Sequence, residues 1–478
     1  MLKIARIGEP QLSPNGATIA FTVQTVDVEK NTKPRQIFTV PSNGGSPVQI
    51  TTDGNNERPR WTFDGKRIIF ISTRGGSAQV WSMDPAGGDA KALTNLSTEA
   101  GGVVISADAK YIVFTSSVFP ECSISGAFDD ACNKRLIDAE AKSKSHARVY
   151  TSLLYRHWTD WQGKRRQHLL SMPIGGGAVK DLTPGTRDVP PFSVGGSDDY
   201  AISPESNEVA YAINTDAEPA ISTNSDLYVV PITGGEAKRI TSNLGADNTP
   251  VYSSDGKYLA YRSQERAGYE SDRWRLILLE RATGAINVLT ENLDRSVNSV
   301  TFSTDSKRVF FVQEDRGRHL LQMASVTGGG FRSIVNGDVS VDDVQFSRDG
   351  KTLIYTEQSG NKPVEIMRAS SGGGPAAALT HMNDDLLRSV ALQPLEEFAV
   401  EGAEGARVSS FLLKPRNFNA RTKYPVLFLI HGGPQGAWGQ TWSYRWNPQV
   451  FADAGYVVVM PNPRGSTGYG QKFTDEIN

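Results

Sequence analysis

Histidine and cysteine are scarce in this 478-residue chain, with six of the first and two of the second. Metal binding at the two cysteines would need more ligands than their segment offers, and neither a metal nor a cofactor is expected. No apolar run approaches the roughly 20 residues that a membrane span needs, and the opening MLKIARIGEP carries no signal-peptide core. Charge of one sign is missing as well: 50 Lys and Arg face 52 Asp and Glu, a net charge of −2. Without a basic excess, nucleic acid is not an expected partner, and neither is a membrane.

What the chain has in abundance is a repeated turn. Ser-Pro-Asp-Gly-like tetrapeptides recur around Asn15, Asp64, Asp108, Glu205, Asp255, Asp305 and Asp349, with gaps of 49, 44, 97, 50, 50 and 44 residues. A glycine hairpin closes each unit, at Gly44, Gly87, Gly175, Gly234, Gly284, Gly328 and Gly372. Runs such as RIIFIS, YLAYRS and RVFFVQ lie between them. Two tight turns per unit give about four short strands, which is one propeller blade. The expected fold class is therefore mainly β, a seven-bladed β-propeller over residues 1–385.

The long gap predicts an insertion inside the third blade, near 118–167. Its stretch from Cys132 to Trp158 reads as helical, with Leu136, Ala139, Ser143, Val149, Leu153 and Leu154 as a stripe. Arg156, His157, Trp158 and Trp161 form an aromatic and basic cluster, whose tryptophans are expected to anchor the insertion by burial. Cys122 and Cys132 lie ten positions apart there and can bridge, which would suit an oxidising compartment.

After a joining segment, residues 386–478 change character. EEFAVEG and RVSSFLLKP read as two strands, and VLFLI, from Val426 to Ile430, reads as a strand covered on both faces. It runs straight into His431, Gly432, Gly433 and Pro434. Asn447 and Pro448 then open a short helix that Gly455 ends, before a second buried strand, YVVVM. Strand, glycine loop, helix and strand predict a parallel crossover. A glycine loop in this place lets a substrate oxygen approach backbone N–H groups closely.

HGGPQGAWG, GYVVVMPNPRGSTGYG and RHWTDW together resemble the prolyl oligopeptidase family of serine peptidases, in its dipeptidyl peptidase and acylaminoacyl peptidase branches. The resemblance covers essentially the whole chain. It implies a propeller capping an α/β hydrolase domain, of which residues 386–478 are the N-terminal part, acting on short peptides. The N–H of Gly433, with Gly432, would hold the oxyanion. Arg464 and Tyr469 would shape the site, and an acidic residue of the insertion, Glu140 among the candidates, would hold a substrate amino terminus beside Trp158.

The nucleophile elbow Gly-x-Ser-x-Gly does not occur in the sequence. Because this fold orders serine, acid and histidine after the second crossover strand, the triad is expected beyond Asn478 and the chain is expected to be inactive alone. His431 belongs to the oxyanion loop and is not read as the base. For the full-length protein the expected location is periplasmic or secreted, with cytoplasmic as the alternative; oligomeric state is not legible. Two alternatives stand beside this reading: a TolB-like propeller acting as a binding scaffold, and an esterase on the same half-fold.

Overall fold

Residues 1–193 and 195–477 are described by the computed structural model. Their architecture is mainly β, and most of it is one four-stranded antiparallel unit repeated. The innermost strands are Arg6–Leu12, Asn56–Trp61, Gly101–Ile105, Tyr200–Ile202, Asp247–Tyr252, Val297–Phe302 and Ser340–Phe346. Each neighbours the next, and the last neighbours the first, so the units form a closed ring, a β-propeller. The final two units share a continuous sheet through a single parallel pairing of His319 with Ser340.

The repeated turn works through its aspartate. In TFDG the Thr62 hydroxyl donates to Asp64 Oδ1 at 2.7 Å, and the same oxygen accepts from the Lys66 amide at 3.0 Å. Ser303 and Asp305, and Ser347 and Asp349, repeat that bridge at 2.6 Å. An Asx-type turn of this kind satisfies backbone donors that a tight reversal would leave bare.

A second device ties the outer strand to the third. The side-chain oxygens of Thr51, Thr94, Thr183, Thr241, Thr290 and Thr380 accept from the amides of Ile37, Val80, Leu169, Leu227, Leu276 and Ile366, at 2.8–3.0 Å and always 14 residues apart. The unit holding Leu321 lacks it and pairs Leu321 with Val335 through the backbone instead.

First and last units meet without exchanging a strand. Asn383 accepts from the Ala5 amide at 2.8 Å and donates to the Ala5 carbonyl at 3.0 Å. Gln345 clasps the first strand in the same way, accepting from the Leu12 amide and donating to the Pro10 carbonyl. Ile7, Ile19 and Phe21 pack against Ile354, Ile366 and Leu379 in one core. Side-chain amides that mimic a backbone pair thus close the ring where no strand ladder can.

The insertion leaves after Tyr111–Val118 and returns at Arg166–Pro173, two strands in register from Tyr111 opposite Pro173 to Val118 opposite Arg166. Cys122 and Cys132 are bridged. The helix is shorter than its sequence pattern suggests, spanning Asp130–Lys142 only. Ser143 and Ser145 explain the stop: their hydroxyls accept from the amides of Ser145 and Ala147 and divert the backbone from the helical ladder. The expected stripe therefore ends at Lys142, and Val149 and Leu153 are exposed on irregular chain. Trp158 and Trp161 do not anchor the insertion by burial either; Trp158 is 84% exposed.

Two buried carboxyls set a pH dependence. Asp247, whose oxygens have no hydrogen-bond partner among the described residues, is pushed by burial up to about 7. Burial does the same to Glu365, also to about 7. Between the ordinary values of 3.8 and 4.5 and about 7 the folded state holds protons that the unfolded chain has lost. Stability therefore falls as pH rises through that window. The thermal midpoint is expected to be higher at pH 5.5 than at pH 8, and Asp247→Asn should shrink the difference, read by calorimetry. Separately, Thr290→Val leaves the buried Leu276 amide unpaired and should cost about 1–3 kcal/mol in chemical denaturation, whereas Thr290→Ser retains most of the stability.

Candidate active site

The C-terminal residues build a mixed sheet in the order Glu396–Glu401, Arg407–Leu413, Val457–Asn462, Val426–Phe428. The last two are parallel, Val426 opposite Val457, and the helix Pro448–Asp453 lies in the connection between them. Asn447 caps that helix by accepting from the Gln449 amide at 2.9 Å. Phe411, Leu413, Leu429, Ala452, Val458 and Met460 form the core beneath.

Contrary to expectation, the strand that enters HGGP is covered on one face only. Leu427 and Leu429 point into the core, while Val426, Phe428 and Ile430 are exposed, Ile430 by 75%. It is the edge strand of its sheet, with packing from Phe451 and Ala452 on one side. A continuous apolar run does not reveal which of its faces is covered.

The loop that follows is held from both sides. Trp438 donates its indole N–H to the Leu429 carbonyl at 2.7 Å, and its amide to Asn462 Oδ1 at 2.8 Å. Asn462 returns a bond to the Trp438 carbonyl at 3.0 Å, and the Thr467 amide donates to the Gly436 carbonyl at 3.0 Å. Between these clamps Gly432 and Gly433 are exposed, and neither amide donates to any described residue. Gly433 sits at φ 129°, which an L side chain rarely adopts. Free N–H groups on a clamped loop are what a developing oxyanion requires.

His431 contacts Ser466 Oγ through Nε2 at 3.0 Å, which resembles a base and its nucleophile. It is not one. The Ser466 hydroxyl donates to the Pro463 carbonyl at 2.6 Å, so the histidine is the donor in the pair, and Ser466 is fully buried. Histidine and serine here fasten the loop to its neighbour.

Arg464 is committed to Glu404 at 2.8 Å, with Glu476 at 4.0 Å. The Tyr469 hydroxyl accepts from Asn462 Nδ2 at 2.8 Å, its ring lies 5.5 Å from that of Phe473, and burial raises its pKa. Both side chains brace the 462–470 loop. Glu140 is exposed in the last turn of the insertion helix, and Trp158 lies against His157. Neither bonds to the glycine loop among the described residues.

Support from the propeller was not legible in the sequence. Gly317 and Gly439 touch backbone to backbone: a Cβ on Gly439 would collide with the Gly317 carbonyl. The Gln440 amide donates to that carbonyl at 2.6 Å. Gln440 accepts from the Gly360 amide at 3.1 Å, Gln449 donates to the Gly360 carbonyl at 3.1 Å, and Thr467 donates to Glu314 at 2.6 Å. The only local signals are small ones, Arg-Gly in one hairpin and Gly-Gln after Trp438.

Residues 442–478 match the model of the prolyl oligopeptidase family, and residues 4–146 match that of the TolB beta propeller domain. Dipeptidyl-peptidase 5 of Porphyromonas gingivalis is 31% identical over 485 residues, spanning all of this chain and 69% of the relative. The chain belongs to the prolyl oligopeptidase family. Dipeptidyl-peptidase 5 of Porphyromonas endodontalis is 34% identical, over 100% of this chain and 68% of its own. Among solved structures, the Pyrococcus horikoshii acylaminoacyl peptidase superposes with a TM-score of 0.77 at 18% identity, covering 99% of this chain and 67% of that one. That likeness shows the shared fold; the enzyme class, a serine peptidase, comes from the family.

In this peptidase-family chain, Gly439→Ala should part the Gly317 contact. Amide exchange over residues 431–442 is expected to accelerate about tenfold or more, while exchange in the blade cores stays unchanged, measured by mass spectrometry.

Proposed function

We propose that the protein is a serine-type peptidase that releases dipeptides or acylated residues from short peptides by acyl transfer. In this reading the ring counts as seven blades ending near residue 385, and residues 386–478 begin an α/β hydrolase domain. The free amides of Gly432 and Gly433, on a loop clamped by Trp438 and Asn462, carry the proposal. As the acyl carbonyl turns tetrahedral, the Gly433 N–H would take up its negative charge; one such donor typically supplies about 2.7–4 kcal/mol of transition-state stabilisation.

The attacking serine, its histidine and the orienting acid would come from residues beyond Asn478. No Gly-x-Ser-x-Gly occurs in the sequence, and the dipeptidyl-peptidases it matches are longer. The Porphyromonas relatives' names favour dipeptidyl release over the scaffold and esterase readings. The ring would admit short peptides and exclude folded proteins. A Cys122–Cys132 bridge suits a periplasmic or secreted protein.

The full-length protein is expected to hydrolyse dipeptidyl naphthylamides or acylaminoacyl substrates far faster than fatty esters, and to label with a serine-directed phosphonate. Residues 1–478 alone should do neither. Labelling of that chain, or preference for fatty esters, would refute the assignment.

A further inference from the structure

The peptide unit between Gly432 and Gly433 has no side chain on either flank to orient it. Without a Cβ on either residue, rotation on both sides of the unit can turn its N–H to one face of the loop or the other at little steric cost. Pro434 follows and brings no N–H of its own. Whatever fixes this one peptide therefore fixes the oxyanion donor.

His431 fixes it through the carbonyl. Its Nδ1 lies 3.0 Å from the Gly432 oxygen, and because a carbonyl has no proton to give, the ring donates. The Gly432 oxygen is turned into the loop, toward Gly436, where a Cβ would stand 3.5 Å from it and 3.9 Å from Nδ1. This peptide is trans, and across a trans peptide the C=O and N–H point in opposite directions. A carbonyl held inward thus leaves the Gly433 N–H facing out, where it donates to no described residue.

The other ring nitrogen holds the ring. Nε2 donates to Ser466 Oγ at 3.0 Å, since Ser466 gives its own proton to the Pro463 carbonyl at 2.6 Å. Ser466 is fully buried, and the amide of the next residue, Thr467, holds the Gly436 carbonyl at 3.0 Å. With an acceptor at each nitrogen, the ring carries both protons. It bridges the fixed 462–470 loop to a peptide that is otherwise free to turn.

We infer that His431 is a positioning residue for the oxyanion donor: by holding the Gly432 carbonyl it aims the Gly433 N–H at the substrate. The inference rests on the peptidase reading above. His431 touches no reacting atom. Loss of the Nδ1 bond lets the 432–433 peptide turn over, so the donor is lost while the glycine loop itself remains. Because that donor acts on the transition state, the loss falls on kcat and spares KM.

The test is steady-state hydrolysis of a dipeptidyl naphthylamide by the full-length protein and three variants. Asparagine can place an amide N–H where histidine has Nδ1, and glutamine can place one where histidine has Nε2. His431→Asn is expected to keep kcat within about tenfold of wild type, whereas His431→Gln and His431→Ala lose about 100-fold or more, as on removal of an oxyanion donor, with KM changed by less than about threefold. Unchanged thermal midpoints show that the variants remain folded. A residue that merely fastens the loop through Ser466 reverses the order, with His431→Gln active and His431→Asn impaired. That reversal, or a loss carried by KM alone, overturns the inference and leaves the peptidase reading standing. A wild-type protein that neither turns over the substrate nor labels with the phosphonate refutes that reading and the inference together. A crystal structure of the full-length protein with the Gly432 carbonyl turned away from the His431 ring would overturn the inference without any variant.

Discussion

The approach of Gly317 to Gly439 is the contact on which the candidate site depends. Two backbones meet where no side chain fits, and the Gln440 amide locks the junction by donating to the Gly317 carbonyl. From that point the chain runs back to Trp438, whose indole and amide hold both flanks of the glycine loop. The propeller therefore does more than cover the site. Its Glu314–Arg318 and Gln358–Gly360 tips fix the loop's position, through Thr467, Gln440, Trp442 and Gln449.

Rigid support at one end requires a rigid ring. Blade cores such as Ile68–Ser72, buried along their whole length, supply most of the driving force, since burial of apolar surface dominates folding. Polar groups then fix geometry. The turn aspartates and the threonines 14 residues beyond the third strand place each blade's strands, and Asn383 with Gln345 places the last blade against the first. Arg58 reaches from the second unit to Ser197 at 2.5 Å, spanning the ring's interior.

Local chemistry was legible in the sequence wherever it repeats or punctuates. Ser-x-Asp turns, glycine hairpins and the 97-residue gap mark four-stranded units and the insertion. HGGP after VLFLI marks the parallel crossover and its loop. The Leu-Thr and Ile-Thr endings that staple the blades are visible too, though only the third strand shows what they bond. Contacts between distant segments were not legible: a glycine that must meet another glycine 122 positions away looks like any turn glycine. The shorter helix and the exposed tryptophans fail for a related reason. Periodicity and bulk register what a segment can bury, while Ser143, Ser145 and the neighbouring chain decide what it does bury.

The central claim is that the Gly433 amide, with Gly432, receives the negative charge of a tetrahedral intermediate. A crystal structure of the full-length protein inactivated by a dipeptidyl phosphonate tests it directly. The phosphonyl oxygen is expected within about 2.7–3.1 Å of the Gly433 nitrogen, with the loop still clamped by Trp438 and Asn462. An oxygen held by other donors, with the amides of Gly432 and Gly433 facing solvent or bonded within the protein, would contradict the account.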